Sequence, residues 1–204
     1  MTFADAIRLQ KNIAKKVVAN KDDFGRISSI CGVDIAYSGS ISNAAYCSAV
    51  IMDGNMQKLV ESVDVQTIVK YPYVPGLLML REAEPIFYAL KLLKNTYDLL
   101  LIDGHGVLHP RKCGLACYIG VTLDKPTIGV AKSRLCGTVR PDGFVELDGE
   151  ILGYAISKKL YISVGHRLTL KTAIALVRGL GIEPLRLADI NSRINKKKSA
   201  VDRR

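Results

Sequence analysis

Two aspartates lie in apolar stretches, where a carboxylate is costly unless it is paired or bound to a metal. Asp34 lies in the middle of the strand-like segment GVDIAY, with small residues beside it on its own face. Asp103 ends YDLLLID, and ligands collect at the carboxyl ends of strands in open α/β sheets. If the two strands are neighbours, the carboxylates converge on a hard oxygen site suited to Mg²⁺ or Mn²⁺. A salt-bridged core aspartate is the alternative interpretation of Asp34 taken alone.

Two further acids, on predicted helices, complete the set that a two-metal phosphodiester site requires. Glu82, in LREAEP, lies in the first turns of a predicted helix, and Asp189, in RLADINSR, lies on the last helix. Such a site holds metals about 4 Å apart, which stabilise the attacking and the leaving oxygen. Taken singly, each of these two acids is a weak signal, because most acids on helices are simply solvated.

The elements that must position these acids change in type along the chain. The chain opens with a predicted helix that Thr2 can cap, and the apolar residues on one face of this helix are Ala6, Ile7, Ile13, Ala14 and Val17. Residues 28–37, 45–53 and 58–69 alternate like strands, and the turn signal DGN between the last two predicts an antiparallel meander. Helices and strands then alternate, which implies parallel pairing. The predicted elements are a helix over 77–95 with a kink or restart at Pro85, a strand over 97–102, a helix over 114–123 and a strand over 126–132.

The remaining residues are predicted to form a small β excursion over 137–156, a helix over 169–180 and a basic helix from about 186. The complete order predicts an α/β protein with a mixed five-stranded sheet, in which three antiparallel strands are followed by parallel ones. Helices cover both faces of this sheet. The ribonuclease-H-like architecture has this order of elements.

Length and composition favour one basic nucleic-acid-binding domain. The chain has 204 residues, so we predict a single domain over 1–204. Its 29 Lys and Arg against 19 Asp and Glu give a net charge of +10, which favours a polyanionic partner. A basic tail from about 191 would add affinity that is independent of sequence. The five cysteines, an odd number, favour reduced thiols in the cytoplasm.

Other classes of protein lack support in the sequence. No apolar run reaches the roughly 18 residues that a membrane span needs, so we expect no membrane partner. Nothing in the sequence indicates an oligomer, and we expect a monomer.

Long motifs in the chain resemble those of the endonuclease V family. GVDIAY, YPYVPGLLMLREAEP, DGHGVLHPRKCGLACYIG and PTIGVAKSRLCG occur in the family's order and at similar spacings, and VGHR and EPLRLAD follow them. The resemblance extends from about residue 5 to 190. The sequence departs from the family at Tyr118, where many relatives carry a histidine, and at Leu80, where an aromatic residue is more usual.

The resemblance implies a ribonuclease-H-like fold and a DNA repair endonuclease that requires Mg²⁺ or Mn²⁺. Such an enzyme recognises a deaminated purine, chiefly deoxyinosine, and hydrolyses the second phosphodiester bond on its 3′ side, leaving a 3′-hydroxyl and a 5′-phosphate. By position, Asp34 and Asp103 would bind metal, with Glu82 and Asp189 completing the metal site. Lys132, in GVAK, would lie near the scissile phosphate and complete a catalytic set with Asp34, Glu82 and Asp103.

The resemblance also implies that the loop YPYVPG carries a wedge that holds the strands apart around the lesion. Tyr73 would be the wedge, with Pro72, Val74 and Pro75 around it. The two prolines stiffen the loop and so hold the ring out at low entropic cost. An ordinary tyrosine in a surface turn is the alternative interpretation.

A flipped base needs a tight pocket that backbone atoms can approach closely. Hypoxanthine offers O6 and N7 as acceptors, so backbone N–H groups suit it, and a close wall at C2 would exclude the amino group of guanine. Glycines at 76, 104 and 106 permit such an approach. We predict a base pocket formed by Gly76, Leu78, Gly104, His109 and Leu115, and Arg111 is a predicted phosphate contact.

Three other functions fit part of the sequence. An inosine-specific endoribonuclease acting on single-stranded RNA shares the same chemistry, and the sequence does not identify the sugar contacts that would distinguish it. A nucleic-acid-binding module with a dead site is disfavoured by the complete set of acids. A different ribonuclease-H-like nuclease, such as a junction resolvase, is disfavoured by Tyr73 between its prolines and by the glycine-lined pocket.

Overall fold

The computed structural model describes residues 1–38 and 43–201, and its first element is a capped helix, α1 (Phe3–Ala14). The Thr2 hydroxyl accepts a hydrogen bond from the Asp5 backbone N–H at 3.1 Å. The Asp5 carboxylate accepts one from the Thr2 backbone N–H at 3.2 Å. This reciprocal pair satisfies N–H groups that the first turn leaves without helical partners, and it confirms Thr2 as the cap.

The predicted meander is present as β1 (Ser29–Tyr37), β2 (Ala44–Asp53) and β3 (Leu59–Ile68), which pair antiparallel. Asp53 stabilises the turn that joins β2 to β3, because its Oδ1 accepts from the backbone N–H groups of Gln57 at 2.7 Å and Lys58 at 3.0 Å. A short polar turn of this kind fixes the register of the two strands.

The alternating part of the chain forms α2 (Leu78–Leu92), β4 (Leu99–Asp103), α3 (Leu115–Leu123) and β5 (Thr127–Ala131). As predicted, β4 runs parallel to β1, and β5 runs parallel to β4. Helix α2 is continuous through Pro85, so the alternative of a restart at this residue is wrong.

The predicted size of the sheet is wrong, because the described residues form nine strands rather than five, in the order β3-β2-β1-β4-β5-β9-β8-β7-β6. The additional strands are β6 (Thr138–Val139), β7 (Phe144–Leu147), β8 (Glu150–Ser157) and β9 (Leu160–His166). β9 pairs antiparallel with β5, and β8, β7 and β6 follow β9 in that order toward the edge of the sheet. The segment predicted as a small excursion is therefore an extension of the main sheet.

Helices cover both faces of the sheet, as predicted. Helices α2 and α3 pack on one core with Cys31, Leu100 and Ile102 of the central strands. The last two helices are α4 (Leu170–Leu180) and α5 (Glu183–Val201). They pack on a second core, which contains Ile30 and Leu101. Helix α5 begins before the predicted residue 186 and continues through the basic segment from about 191. Over 1–38 and 43–201, no helix is both long and apolar enough to cross a membrane, and all five cysteines are free thiols.

Helix α5 rests directly on β1 at a glycine. A Cβ on Gly32 would lie 2.2 Å from the backbone N of Leu185 and 2.3 Å from the backbone C of Pro184. From Leu185 to Asp189 the helix rises by four steps of about 1.5 Å, and from Gly32 to Asp34 the strand advances by two steps of about 3.3 Å. These lengths nearly match, so the contact at Gly32 brings Asp189 beside Asp34.

Gly32→Ala tests this contact. The added methyl group would overlap the α5 backbone, so we expect the free energy of unfolding to fall by about 1–3 kcal/mol, measured by urea denaturation. Gly179→Ala is the matched control, because Gly179 lies in α4 with no atom near its missing Cβ, and it should unfold at the same or a higher urea concentration. Equal midpoints for Gly32→Ala and the native protein would contradict the assigned role of this glycine.

Candidate functional site

Three aspartates from separate elements meet at one end of the central strands. Asp34 comes from β1, Asp103 from the end of β4 and Asp189 from α5, and each offers a carboxylate oxygen within 4.8 Å of the other two. The parallel pairing of β1 with β4 places the first two side by side, and α5 adds the third. Carboxylate oxygens so close together form the donor set that Mg²⁺ and Mn²⁺ prefer.

The electrostatics of this cluster favour a bound cation. Asp34 is only 8% exposed. Burial, the charge of Asp103 and a hydrogen bond to Asp189 raise the pKa of Asp34 to about 9. A raised pKa means that the ionised carboxylate is destabilised by its surroundings. A divalent cation would compensate for the mutual repulsion, so the three residues fit a metal site.

Lys132 follows β5 and places its ammonium group among the three acids. Its Nζ lies 2.7 Å from Asp103 Oδ2, 2.9 Å from Asp189 Oδ1 and 3.8 Å from Asp34 Oδ2. Burial lowers the pKa of Lys132, but the hydrogen bonds to Asp103 and Asp189 outweigh this effect and raise it. The side chain is therefore a fixed positive charge beside the cluster.

Glu82 reaches the same region from α2 without joining the cluster of three. It lines a cavity together with Asp34 and Asp103, and it accepts a hydrogen bond from the Tyr37 hydroxyl at 2.8 Å. Burial and the charge of Asp103 raise the pKa of Glu82 to about 7, although the hydrogen bond from Tyr37 acts in the opposite direction. Its role as a metal ligand stays a prediction.

The cavity beside the cluster has a volume of about 480 Å³, large enough for a nucleobase by comparison with ordinary ligand pockets of about 300–1,000 Å³. All five residues predicted to form the base pocket line it: Gly76, Leu78, Gly104, His109 and Leu115. Asp34, Glu82 and Asp103 thus share one cavity with the predicted base pocket. That these five residues contact a base remains a prediction.

Gly104 leaves room between two leucines. A Cβ at this position would lie 3.4 Å from Leu115 Cβ and 3.7 Å from Leu78 Cδ2, and the backbone has a φ of +154°. The Gly104 N–H donates to Val130 O at 2.9 Å, so this glycine contributes space rather than a hydrogen-bond donor. Gly106 was expected to let the backbone approach a base closely. Instead it packs against β9, because a Cβ there would lie 1.9 Å from Val164 O.

The loop between β3 and α2 carries the predicted wedge at the rim of the cavity. Tyr73 lines the cavity and is 64% exposed. Pro72 and Pro75 are also exposed, whereas Val74 is half-buried and packs against the core. Val74 therefore anchors a loop whose prolines restrict the backbone and whose aromatic ring faces solvent.

His109 is held by the backbone through both ring nitrogens. Its Nε2 donates to Gly76 O at 3.0 Å, and its Nδ1 accepts from the Arg111 backbone N–H at 3.1 Å. Burial and the nearby Arg111 lower the pKa of His109 to about 4. The ring is therefore neutral with a fixed tautomer, and it serves as a wall of the cavity.

The Arg111 guanidinium is held by acceptors within the protein, and its role as a phosphate contact stays a prediction. Its Nε donates to Gln10 Oε1 at 2.7 Å, and its Nη2 donates to Gly76 O at 2.6 Å. Arg111 is not among the residues that line the cavity. The guanidinium is thus engaged by protein acceptors, because the loop from 104 to 114 folds back against α1.

Several residues at the site were missed in the sequence. Gln10 of α1 lines the cavity, as do Ser133, Arg134 and Leu135 after β5. A signal for Gln10 was present, because it is a polar residue four positions after Ala6 and so lies on the predicted apolar face of α1. The residues after β5 also had a signal, because they lie in the motif PTIGVAKSRLCG.

Two clefts that are smaller than this cavity also adjoin the acidic cluster. One is lined by Asp34, Asp189, Arg193 and Lys196. The other is mainly apolar and includes Ile182, Leu185 and Ile190 of the α5 region. Arg193 also contacts Asp189 Oδ1 at 2.9 Å. The cluster is therefore bordered by a groove that contains Arg193 and Lys196 as well as by the large cavity.

The order of the strands in the sheet and the cluster of three aspartates together define a nuclease of the mixed α/β, ribonuclease-H-like class. The family model described as Endonuclease V matches residues 11–190. The chain belongs to the endonuclease V family, and it is therefore an endonuclease.

Individual relatives agree with this assignment. Endonuclease V of Thermofilum pendens is 41% identical over 91% of this chain and 85% of its own length, and that of Sulfolobus acidocaldarius is 39% identical over 94% of each. The crystal structure of endonuclease V from Streptomyces avermitilis superposes with a TM-score of 0.88 at 30% identity, over 98% of this chain and 95% of the other.

A second similar structure contains nucleic acid. Endonuclease V of Ciona intestinalis, in complex with a 24mer DNA that contains an inosine followed by a ribo-adenosine, superposes with a TM-score of 0.84 at 27% identity, over 96% of this chain and 98% of the other.

Asp103→Asn tests the metal site directly. Loss of one charged ligand should weaken Mn²⁺ binding to the free protein by at least the roughly 10–100-fold that changes around metal ligands cost, measured by isothermal titration calorimetry. Asp34→Asn should behave alike. Glu150→Gln is the control, because it removes an exposed acid that pairs with Lys112. Native Mn²⁺ affinity in both aspartate variants would exclude a metal site here.

Proposed function

We propose that the protein is a metal-dependent DNA repair endonuclease that recognises deoxyinosine and hydrolyses the second phosphodiester bond on its 3′ side. The products carry a 3′-hydroxyl and a 5′-phosphate. One observation carries the proposal: the acidic cluster and a cavity of nucleobase size are contiguous, because Asp103 and Gly104 follow each other in the chain and line the same cavity. The inosine-containing DNA bound by the Ciona relative supports the choice of lesion.

In this proposal, Asp34, Asp103 and Asp189 hold Mg²⁺, which Mn²⁺ can replace, and Glu82 completes the site. A bound divalent cation would supply Lewis-acid stabilisation of negative charge on the reacting phosphate. Lys132 exchanges its contacts with the acids for one with the scissile phosphate, where its ammonium group stabilises developing charge. Arg193 and Lys196 attract the phosphates of the strand that leaves the cavity.

Recognition of the lesion rests on space and on stacking. The flipped base enters between Leu78 and Leu115, where the absence of a side chain at Gly104 leaves room for a planar ring. His109 forms a neutral edge of the cavity that its backbone partners hold in place. Tyr73, projecting from a loop anchored by Val74, fills the gap in the duplex or stacks on a neighbouring base.

One assay tests the proposed function and separates it from the ribonuclease alternative. DNA and RNA strands of the same sequence, each with a single inosine, are incubated with the protein with and without Mg²⁺, and the products are sized. Mg²⁺-dependent cleavage of the DNA one nucleotide beyond the lesion supports the proposal. Cleavage of the RNA alone would make the protein an inosine-specific endoribonuclease, and binding without cleavage would indicate a dead site.

Gly104→Val tests the base pocket. The new side chain would fill the space between Leu78 and Leu115, so we expect cleavage of the inosine strand to fall by about 100-fold or more, as for other misplacements of a reacting group. Mn²⁺ affinity is measured as well, and a native value would show that backbone strain at a φ of +154° has not displaced the neighbouring Asp103. Gly25→Val is the control, because no atom lies near the missing Cβ of Gly25. Full activity of Gly104→Val would remove this glycine from the pocket.

A further inference from the structure

The side-chain amide of Gln10 links helix α1 to two segments that are distant from it in sequence, one at Gly76 and the other at residues 111–113. Its Nε2 donates to Gly76 O at 3.0 Å and to Cys113 O at 2.9 Å, and its Oε1 accepts from Arg111 Nε at 2.7 Å. Gln10 is only 1% exposed. A buried amide with its donors and its acceptor engaged fixes the relative positions of its partners, because breaking any of these bonds leaves a buried polar group unsatisfied.

The Gly76 carbonyl is the centre of this arrangement. Besides Gln10, it accepts from His109 Nε2 at 3.0 Å and from Arg111 Nη2 at 2.6 Å. Three donors, one of them charged, thus converge on a single carbonyl oxygen with two lone pairs. Gly76 has a φ of +75°, and a Cβ there would lie 3.0 Å from Arg111 Nη2. The conformation of this peptide is therefore strongly constrained.

Gly76 lies where the wedge loop ends and the wall of the cavity begins. It follows Pro75, and the Leu77 N–H donates to Val74 O at 2.9 Å, which closes a turn across it. Helix α2 begins at Leu78 and carries Glu82 one turn further on. A rotation of the Gly76 peptide would therefore move the Tyr73 loop relative to the cavity.

We propose that Gln10 is a positioning residue for recognition of the lesion. It acts through Gly76 and holds the wedge loop, the cavity wall and the start of α2 in one fixed arrangement. The inference rests on the proposed function and deepens it, since it assigns to α1 a part in substrate specificity. We call the hydrogen-bonded group of Gln10, Arg111 and Gly76 the clamp. The three aspartates of the metal site are not bonded to any of these residues, so the clamp affects the lesion side of the cavity and leaves metal binding unchanged.

Gln10→Glu tests this proposal most directly, because it changes the hydrogen bonding of the side chain with almost no change in its size. A carboxylate still accepts from Arg111 Nε, but it donates to neither Gly76 O nor Cys113 O and repels both. Arg111→Lys is the second variant, since it keeps the charge but loses the planar fork that reaches Gln10 and Gly76 together.

Asp98→Asn is the matched control. Asp98 precedes β4 and accepts hydrogen bonds from the backbone N–H groups of Ser28 at 2.8 Å and Ser29 at 3.0 Å. It therefore anchors neighbouring segments as Gln10 does, but at the end of β4 opposite to Asp103. Its substitution should lower stability without changing recognition.

Four quantities are measured for each variant: kcat and KM on the inosine DNA strand, Mn²⁺ affinity, the midpoint of urea unfolding, and amide hydrogen exchange of residues 71–77. For Gln10→Glu we expect kcat/KM to fall by about 10–100-fold, in the range seen when reacting groups are misplaced by about 1 Å. The loss should appear mainly in KM, exchange over 71–77 should become faster, and Mn²⁺ affinity should stay native. Asp98→Asn should keep native kcat/KM and native exchange over 71–77.

Three results would overturn the proposal: native kcat/KM in Gln10→Glu, an equal loss of activity in Asp98→Asn, or a parallel loss of Mn²⁺ affinity, which would indicate general disruption of the fold. If Gln10→Glu does not fold, Arg111→Lys is judged by the same criteria. A native protein that cleaves no inosine strand refutes the proposed function instead. In that case unchanged exchange over 71–77 in the variant would still refute the clamp.

Discussion

The structure depends on the close packing of the α5 backbone against β1 at Gly32. Two of the clustered acids, Asp34 and Asp103, are positioned by strand pairing alone, but the third comes from a helix near the end of the described chain. Any side chain larger than hydrogen at Gly32 would separate α5 from the strand. Because like charges within 4.8 Å of one another repel, the cluster persists only where packing elsewhere in the fold outweighs this repulsion.

The cavity beside the cluster is held by a different kind of interaction. Its walls are loops, and hydrogen bonds to the Gly76 carbonyl fix them, whereas the acids are fixed by the sheet and by α5. The two parts meet at the peptide bond between Asp103 and Gly104. Their separation is therefore set by covalent geometry, and the proposed cleavage at a fixed distance from the lesion requires such a constant spacing.

The sequence predicted those features that depend on local pattern. The meander, the parallel strands, the Thr2 cap and the convergence of Asp34 with Asp103 followed from periodicity, turn residues and short connections. β9 did not, because its antiparallel pairing with β5 joins Ile128 to Val164, and local pattern contains no information on such a distant partner. The hydrogen bonds from Arg111 to Gln10 and Gly76 were unpredictable for a related reason, since these acceptors are distant in sequence.

In the proposed function, the distribution of charge around the site would couple the binding of a metal to the binding of nucleic acid. The net charge of +10 and the groove with Arg193 and Lys196 attract phosphates. When all three aspartates at the end of that groove are ionised, they oppose this attraction, because Lys132 and Arg193 offset only part of their charge. In the proposed function, a divalent cation on the aspartates would reverse this local repulsion, so each ligand would strengthen binding of the other by the same free energy. The acids proposed to make the cavity reactive would therefore also make its use conditional on the metal.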